Sequence, residues 1–380
     1  MLSTTASLPP INRPPIFVWV LAPQLVTADE NLDYYYDFSQ SIEEYTRCFK
    51  TLGLPWKWQP VSLDNYADVI ATIAAGSNGI FPVVLNLCDG DEVNGAPGIS
   101  IVKLLEEKGL VYTGADAFFY HITTSKTDMK RAFDNAGVPT PRWVSLEENR
   151  PDAEGIFEKL GNPIILKPAI SGGSMGVGVK SVVSNAAEFN TQLQHLYEGY
   201  RGWSLTAGGV IAESFIDGPE FTTFITGSYD EPGTCKVYPP VERVFHPSLP
   251  DREKFLSFDR LWEIYEDEES MPNEENFYEY QVPDVMLVSE IKKLSMEAYV
   301  ATCGRGYTRV DLRMDKATGR MYVLEVNAQC GISEDENFTS IGAILRLAGL
   351  SFSDTILEII HDAFTRHATP GQQLKTTAHP

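Results

Sequence analysis

The stretch TRVDLRMDKATGRMYVLEVNA, residues 308–328, constrains the fold more than any other part of the chain. Polar Arg309, Asp311, Glu325 and Asn327 alternate with apolar Val310, Leu312, Leu324 and Val326, the two-residue period of half-buried strands. Lys316 to Arg320, a short loop containing Gly319, suits a hairpin of the longer kind. With Asp315 facing Met321, the ladder sets Asp311 opposite Glu325 and Arg309 opposite Asn327. Residues paired across an antiparallel ladder point to one side, as do residues two apart along a strand. Two carboxylates, an amide and a guanidinium therefore converge over four aliphatic side chains. Such a set suits a hard divalent cation, because Mg2+ takes a few carboxylate oxygens and leaves its other positions to water or nucleotide phosphate. The arginine adds a fixed positive fork for a developing anion. A surface hairpin laced by salt bridges would share the alternation, but a salt bridge has no use for Asn327. After it, Ala328 to Ser333 leaves the strand through Gly331, as loops at active sites often do.

With 380 residues, 43% of them hydrophobic, the chain can bury cores for two or three domains. Its 52 acidic against 30 basic residues give a formal charge of -22, which argues against nucleic acid or an anionic membrane as partner. Cys48, Cys88, Cys235, Cys303 and Cys330 are scattered without a CxxC pair, as expected of a reduced cytoplasmic protein. Ile16 to Val26 is too short and interrupted to span a bilayer, and the Pro-rich leader before it has no basic region of a secretory signal. The six histidines show no metal-ligand spacing.

Strand and helix patterns alternate between a loose leader (1–15) and a polar tail (367–380), both expected to be mobile. Phe17 to Leu21 reads as a buried strand, Ser39 to Leu52 as a helix ended by Gly53, Pro82 to Leu87 as a strand, and Ile99 to Lys108 as a helix ending at Gly109. This first third is α/β and Rossmann-like. Thr124 to Asn135 makes a helix closed by Gly137, with Pro139 and Pro141 beyond it. Pro163 to Lys167 and Val177 to Val183 read as strands, and Asn185 with Glu188 as a capping box. Glu263 to Glu275 is acidic without apolar periodicity and reads as a mobile loop.

KPAISGGSMGVGV, residues 167–179, crowds Gly173, Gly176 and Gly178 together, but a β-rich stretch follows it instead of the helix both common phosphate loops require. It reads as a hairpin tip whose backbone N–H groups can approach phosphate closely. Lys167 and Lys126 can add positive charge, although each alone would pass as a surface residue. In VIAESFIDGPEFTTFIT, residues 210–226, a polar hinge separates two strands, a usual place for an adenine. Phe215 and Ile216 offer an apolar slot; Glu213 and Glu220 offer acceptors for an exocyclic amine or ribose hydroxyl.

GVPTPRW at 137–143, ILKPAISGGSMGVG at 165–178, ESFIDGPEF at 213–221, and RVDL with LEVNAQCGIS, in that order, resemble the ATP-grasp superfamily and within it the D-alanine:D-alanine ligase-like enzymes. The resemblance covers roughly Cys88 to Ile360. It implies a three-domain α/β (α+β) ATP-grasp fold: a Rossmann-like substrate domain at 1–119, a central lobe with the glycine-rich loop at 120–212, a carboxy-terminal lobe with the metal site at 213–368, and a tail at 369–380. It further implies that Lys126 and Lys167 hold ATP phosphates beside Gly173 and Ser174, that Glu213 binds adenine and Glu220 ribose, and that Asp311, Glu325 and Asn327 hold two Mg2+. Arg309 would stabilise the acyl phosphate and the tetrahedral intermediate that an amine forms from it. Ser174 and the acidic loop 252–280 are the candidates for a lid that excludes water. Small-molecule carboxylate and amine substrates are implied, and a homodimer, since relatives are often dimers.

The chain also departs from that family's pattern. No clear equivalent is present of the amino-terminal glutamate that holds the first amino group, which leaves Asp37 or a neighbouring tyrosine. The usual lid lysine and tyrosine are missing from FLSFDRLWEIY, where Arg260 is the nearby cation. After Gly331 such ligases place a small hydroxyl residue for the second carboxylate; here Glu334, Asp335 and Glu336 would repel a carboxylate and favour a neutral or positive group. The expectation is therefore an amide-forming ligase for another amino acid or amine in a specialised pathway, with D-alanine:D-alanine ligase proper as the alternative. An ATP-grasp enzyme with a phosphate or carboxylation product and a silent nucleotide-binding relative are further alternatives; the intact set Asp311, Glu325 and Asn327 argues against the silent one.

Overall fold

The structure, a computed structural model, describes residues 15–25, 37–76, 79–146, 151–271, 275–337 and 339–368. The leader before Pro15, the tyrosines preceding Asp37 and the tail beyond Ala368 lie outside the described residues. The first lobe alternates β1 (Ile16–Pro23), α1 (Ser39–Leu52), β2 (Trp56–Val61), α2 (Tyr66–Ala75), β3 (Phe81–Asn86), α3 (Ile99–Glu107) and β4 (Val111–Tyr112). Strand–helix alternation returns each strand in the same direction, and the sheet is accordingly parallel, in the order β2-β1-β3-β4. Gly53 ends α1 in the left-handed region at φ 63°, where its N–H reaches the carbonyls of Phe49 and Lys50. Helices α4 (Ala117–Thr124) and α5 (Lys126–Ala136) follow, capped by the side chains of Asp116 and Ser125.

The central lobe holds β5 (Trp143–Leu146), α6 (Ala153–Leu160), β6 (Ile164–Pro168), β7 (Val182–Val183), α7 (Ala186–Glu198) and β8 (Val210–Ser214), an antiparallel sheet in the order β5-β8-β6-β7. The Asn185 half of the expected capping box forms, with Glu188 N–H donating to Asn185 Oδ1 at 3.0 Å, but Glu188 Oε2 accepts from Ser184 N–H at 2.7 Å and not from the N–H of Asn185. The strand expected over Val177 to Val183 shrinks to Val182–Val183 behind a 3-10 turn at Val179–Ser181. Side chains satisfy the backbone there in place of a ladder: Gly178 N–H donates to Ser181 Oγ at 3.0 Å and Val179 N–H to Glu268 Oε1 at 2.8 Å.

The third lobe contains β9 (Glu220–Ser228), β10 (Lys236–Val237), β11 (Val241–Phe245), α8 (Phe258–Leu261), β12 (Tyr278–Gln281), α9 (Val285–Ala301), β13 (Arg305–Met314), β14 (Met321–Ala328), α10 (Ser340–Ala348) and α11 (Phe352–Ala368). Its antiparallel sheet runs β12-β11-β9-β13-β14. The β13–β14 hairpin keeps the expected pairs Arg309↔Asn327 and Asp311↔Glu325, then shifts register between Asp311 and Leu312, so Met314, not Asp315, faces Met321. A bulge puts one extra residue on one strand. Here it exchanges the layer beneath: Val310, Leu312, Val323 and Val326 are buried, whereas Leu324, expected there, is only half-buried.

The cores show how the lobes are joined. Residues of the first lobe, of α4 and α5 and of the third sheet share one apolar cluster, including Val84, Phe119, Met129, Phe133, Val310 and Val326. A second joins Val20, Tyr45 and Phe49 to Ile344, Ile356 and Ile359. The central lobe's cluster, around Leu166, Phe189 and Leu196, takes in Phe258 of α8 from the third lobe. Among the described residues, no helix is long and apolar enough to cross a membrane.

Candidate active site

On the upper face of the hairpin, Asp311 is the hub. Its Oδ2 accepts from Arg309 Nε at 3.0 Å and from Asn327 Nδ2 at 3.0 Å, while Oδ1 accepts from the Thr222 hydroxyl on β9. Asn327 Nδ2 also reaches Glu325 Oε1 at 3.3 Å, and Arg309 Nη2 lies 3.9 Å from the same oxygen. Burial works against the charge on Arg309, but Asp311 and Glu325 more than offset it and raise its pKa above the ordinary range. Among the described residues no three His, Cys, Asp or Glu side chains group as a metal cage. Two carboxylates with one amide nevertheless fit Mg2+, which keeps most of its positions for water and phosphate. Turning the Asn327 carboxamide over would present its oxygen beside the two carboxylates.

A lysine cluster faces this hairpin. Lys167, at the end of β6, lies 3.0 Å from Glu213 Oε2, and Lys130, on α5, lies 3.2 Å from Glu213 Oε1. Burial alone would raise the pKa of Glu213; the two lysines outweigh it and pull the carboxyl down to about 2. Lys130 itself is fully buried. Its Nζ donates to Thr140 Oγ1 at 2.6 Å, and that hydroxyl donates to the Val323 carbonyl of β14 at 2.9 Å, so the motif GVPTPRW ties lysine to hairpin. Burial lowers the pKa of Lys126, and the Glu325 carboxylate opposes that shift. Lys126 Nζ donates to the carbonyl and hydroxyl of Ser171 at 3.2 and 3.1 Å and so holds the glycine loop.

Glu213 and Glu220 are not the free acceptors expected from the sequence. Glu213 is committed to two lysines, and Glu220 is paired with Arg243 on β11 and lies 3.8 Å from Arg313 on β13. Phe215 and Ile216 do border the hinge, with Phe215 edge-on to Phe255 at 6.0 Å and Ile216 buried.

Of the acidic segment expected to be mobile, the described part at 263–271 is packed onto the glycine loop through Glu268. Glu268 is buried against Val179 N–H and Ser257 Oγ, and Asp259 accepts from the N–H groups of Asp267 and Glu268 at 2.6 and 3.0 Å. Arg260 is taken up by Glu253 at 2.7 Å and Glu268 at 3.2 Å, so it staples this cover and does not face a substrate. Gly173 has φ 54° and Ser174 φ 60°. Trp262 Nε1 donates to the Gly173 carbonyl at 2.9 Å, and Ser174 Oγ to the Leu256 carbonyl at 3.1 Å.

The expected substrate residues fare differently. Asp37 is exposed and accepts from Ser39 N–H at the start of α1. Gly331 is exposed at the turn after the hairpin. Glu336 pairs with Arg346 at 2.6 Å, Glu334 with Arg47 at 3.2 Å, and Asp335 accepts from Gln40 at 2.7 Å, so the acidic run is engaged by α1 and α10. Sequence reasoning missed Lys130, Arg243 and Glu44, a buried carboxylate that accepts from Ser333 Oγ at 2.9 Å and from Glu334 N–H at 3.0 Å. Lys130 had a signal: it lies one turn after Lys126, on the helix face that also carries Met129 and Phe133. Glu44 and Arg243 had none, because their partners are remote in sequence.

Lysines tied both to a glycine loop and to a carboxylate–amide hairpin fit the ATP-grasp class of carbon–nitrogen ligases. The family described as D-ala D-ala ligase C-terminus matches residues 132–361, and the chain belongs to it. The D-alanine–D-alanine ligase of Stutzerimonas stutzeri (strain A1501) is 29% identical over 338 residues, 84% of this chain and 95% of that protein. The D-alanine–D-alanine ligase of Ralstonia pickettii (strain 12J) is 27% identical over 265 residues, 70% of each chain. The crystal structure of D-alanine–D-alanine ligase from Bacillus anthracis complexed with ATP superposes with a TM-score of 0.66 at 20% identity, covering 93% of this chain and 99% of that one, and shares the fold. These relatives do not support the expected specialised pathway and fit the alternative, a D-alanine:D-alanine ligase proper, better.

Proposed function

We propose that the protein uses ATP to join two D-alanine-type amino acids through an acyl phosphate. The observation that carries this reading is the link between the Lys130–Glu213–Lys167 cluster and the hairpin that bears Asp311, Glu325 and Asn327, made through Thr140 to the Val323 carbonyl. Lys126 and Lys167 bind and neutralise ATP phosphates, with Phe215 and Ile216 bordering the adenine. Asp311, Glu325 and Asn327 hold Mg2+, which when bound offsets phosphate charge. The carboxylate of the first amino acid attacks the γ-phosphorus, and ADP leaves. The amine of the second attacks the acyl carbon, and phosphate leaves as the amide forms. Arg309 meets the oxyanion of that intermediate, and the glycine loop with Ser174 and its cover keeps water from the acyl phosphate. Because Glu334, Asp335 and Glu336 are engaged by neighbours, they no longer argue against an incoming carboxylate. We place the reaction in the cytoplasm, where ATP is available and the five unpaired cysteines stay reduced.

The test is ADP release with ATP, Mg2+ and D-alanine, followed by the mass of the product. Equal amounts of ADP and D-alanyl-D-alanine are expected. Full ADP release without any amino acid, or a product of another mass, overturns the reading.

A further inference from the structure

Gln329 lies two residues beyond Asn327, is 1% exposed, and has a left-handed φ of 58°. Such a backbone is uncommon outside glycine and persists where the surroundings impose it. Its side chain enters the first lobe. Oε1 accepts from Ala115 N–H at 3.0 Å, and Nε2 donates to the carbonyl of Asn86, the last residue of β3. Gly114, at φ 88°, leaves the room, since a Cβ there would overlap the carboxamide. The same Asn86 carbonyl accepts from Tyr307 Oη at 3.3 Å, and Tyr307 lies two residues before Arg309 on β13. β13 and the turn that leaves β14 are thus pinned to one backbone group at the carboxyl end of the parallel sheet, where such sheets bind their ligands. A carboxamide offers one acceptor and a pair of donors, which matches the Ala115 N–H and the Asn86 carbonyl. A leucine or methionine could fill the volume but would strand both.

We propose that Gln329 is a positioning residue that registers the first lobe against the metal hairpin, so that an amino acid carried by that lobe meets phosphate held on the hairpin. The inference rests on the ligase reading of the hairpin. In-line transfer needs the reacting atoms about 3–3.5 Å apart, and a misplacement of about 1 Å costs on the order of 100-fold. The lysines that hold ATP do not touch Gln329, so its loss misplaces the amino acid and spares nucleotide affinity.

The experiment uses the full chain with Gln329→Met. Expected are a kcat at least ten-fold lower, a KM for ATP within two-fold of wild type, and more ADP released than amide formed, as misplaced acyl phosphate is lost to water. A residue with only a structural role would lower the folded fraction and leave the ADP-to-amide ratio at one; that result, or an unchanged kcat, overturns the proposal. Amide hydrogen exchange gives a readout independent of substrate identity. Ala115 is expected to exchange at least ten-fold faster in the variant, with Val18 and Val20 unchanged, and equal exchange at Ala115 overturns the inference even if wild type ligates nothing. Inactivity of the wild type toward D-alanine with altered Ala115 exchange in the variant instead refutes the substrate assignment alone. Should Gln329→Met fail to fold, Tyr307→Phe removes one donor to the Asn86 carbonyl and is expected to show the same pattern at about three-fold; no change there overturns it.

Discussion

Individual charges in the cleft make distinct, checkable contributions. Glu325 is half-exposed on the hairpin face, so Glu325→Ala is expected to leave the thermal midpoint nearly unchanged and to abolish turnover. Retained activity at saturating Mg2+ would remove it from the ligand set. Arg309→Ala is expected to lose about 3 kcal/mol of transition-state stabilisation, the cost of an oxyanion partner, or on the order of 100-fold in kcat/KM. A loss below two-fold contradicts its role. Glu213 has a folded-state pKa of about 2 against an ordinary 4.5. A depressed carboxyl pKa means that this stabilisation is complete above about 4.5 and is lost as pH falls through about 2. Lys130→Met leaves the buried carboxylate with one cation and is expected to cost on the order of 3 kcal/mol near neutrality. Acid unfolding of that variant should begin at a higher pH; identical acid transitions would show that Lys130 does not hold Glu213.

At the scale of elements, the hairpin was legible because its evidence is local: alternation names the strands, and ladder geometry brings Asp311 to Glu325 and Arg309 to Asn327. The bulge was not, since an extra residue beside Leu312 changes which aliphatic side chain is buried without disturbing the alternation. Val323→Ala is therefore expected to destabilise by about 2 kcal/mol and Leu324→Ala by less than about 1, read from denaturant midpoints. The opposite order would restore the simple register. The acidic segment was misread for a related reason. Lack of periodicity rightly suggested a loop, but Asp259 and Glu268 fold back on backbone N–H groups and hold it in place, which composition cannot reveal. Helix ends were clearer, because Gly53 and Gly137 and the Asn185 cap act within one turn.

For the whole molecule, the distribution of cores decides what can move. The first and third lobes share two apolar clusters, whereas the central lobe meets the third through the one segment that carries Phe255, Phe258, Trp262 and Ile264. Nucleotide binding is thus expected to shift the central lobe as a body against the other two. Paired fluorescent labels should report a shorter distance between α7 and α9 on adding ATP and Mg2+, with the distance from α2 to α9 constant; a change confined to the latter pair would contradict this division of the molecule. The family was legible from four motifs in order, while the expectation of a neutral or positive substrate group rested on Glu334, Asp335 and Glu336 alone, whose surroundings are set by α1 and Arg346, far away in sequence. The central claim, that the hairpin holds a divalent cation against nucleotide phosphate, is tested most directly by titrating Mn2+ by electron paramagnetic resonance with a nonhydrolysable ATP analogue present. Saturable, nucleotide-dependent binding is predicted for the wild-type chain, weakened at least ten-fold in Asp311→Asn; equal affinity in the two proteins would contradict the claim.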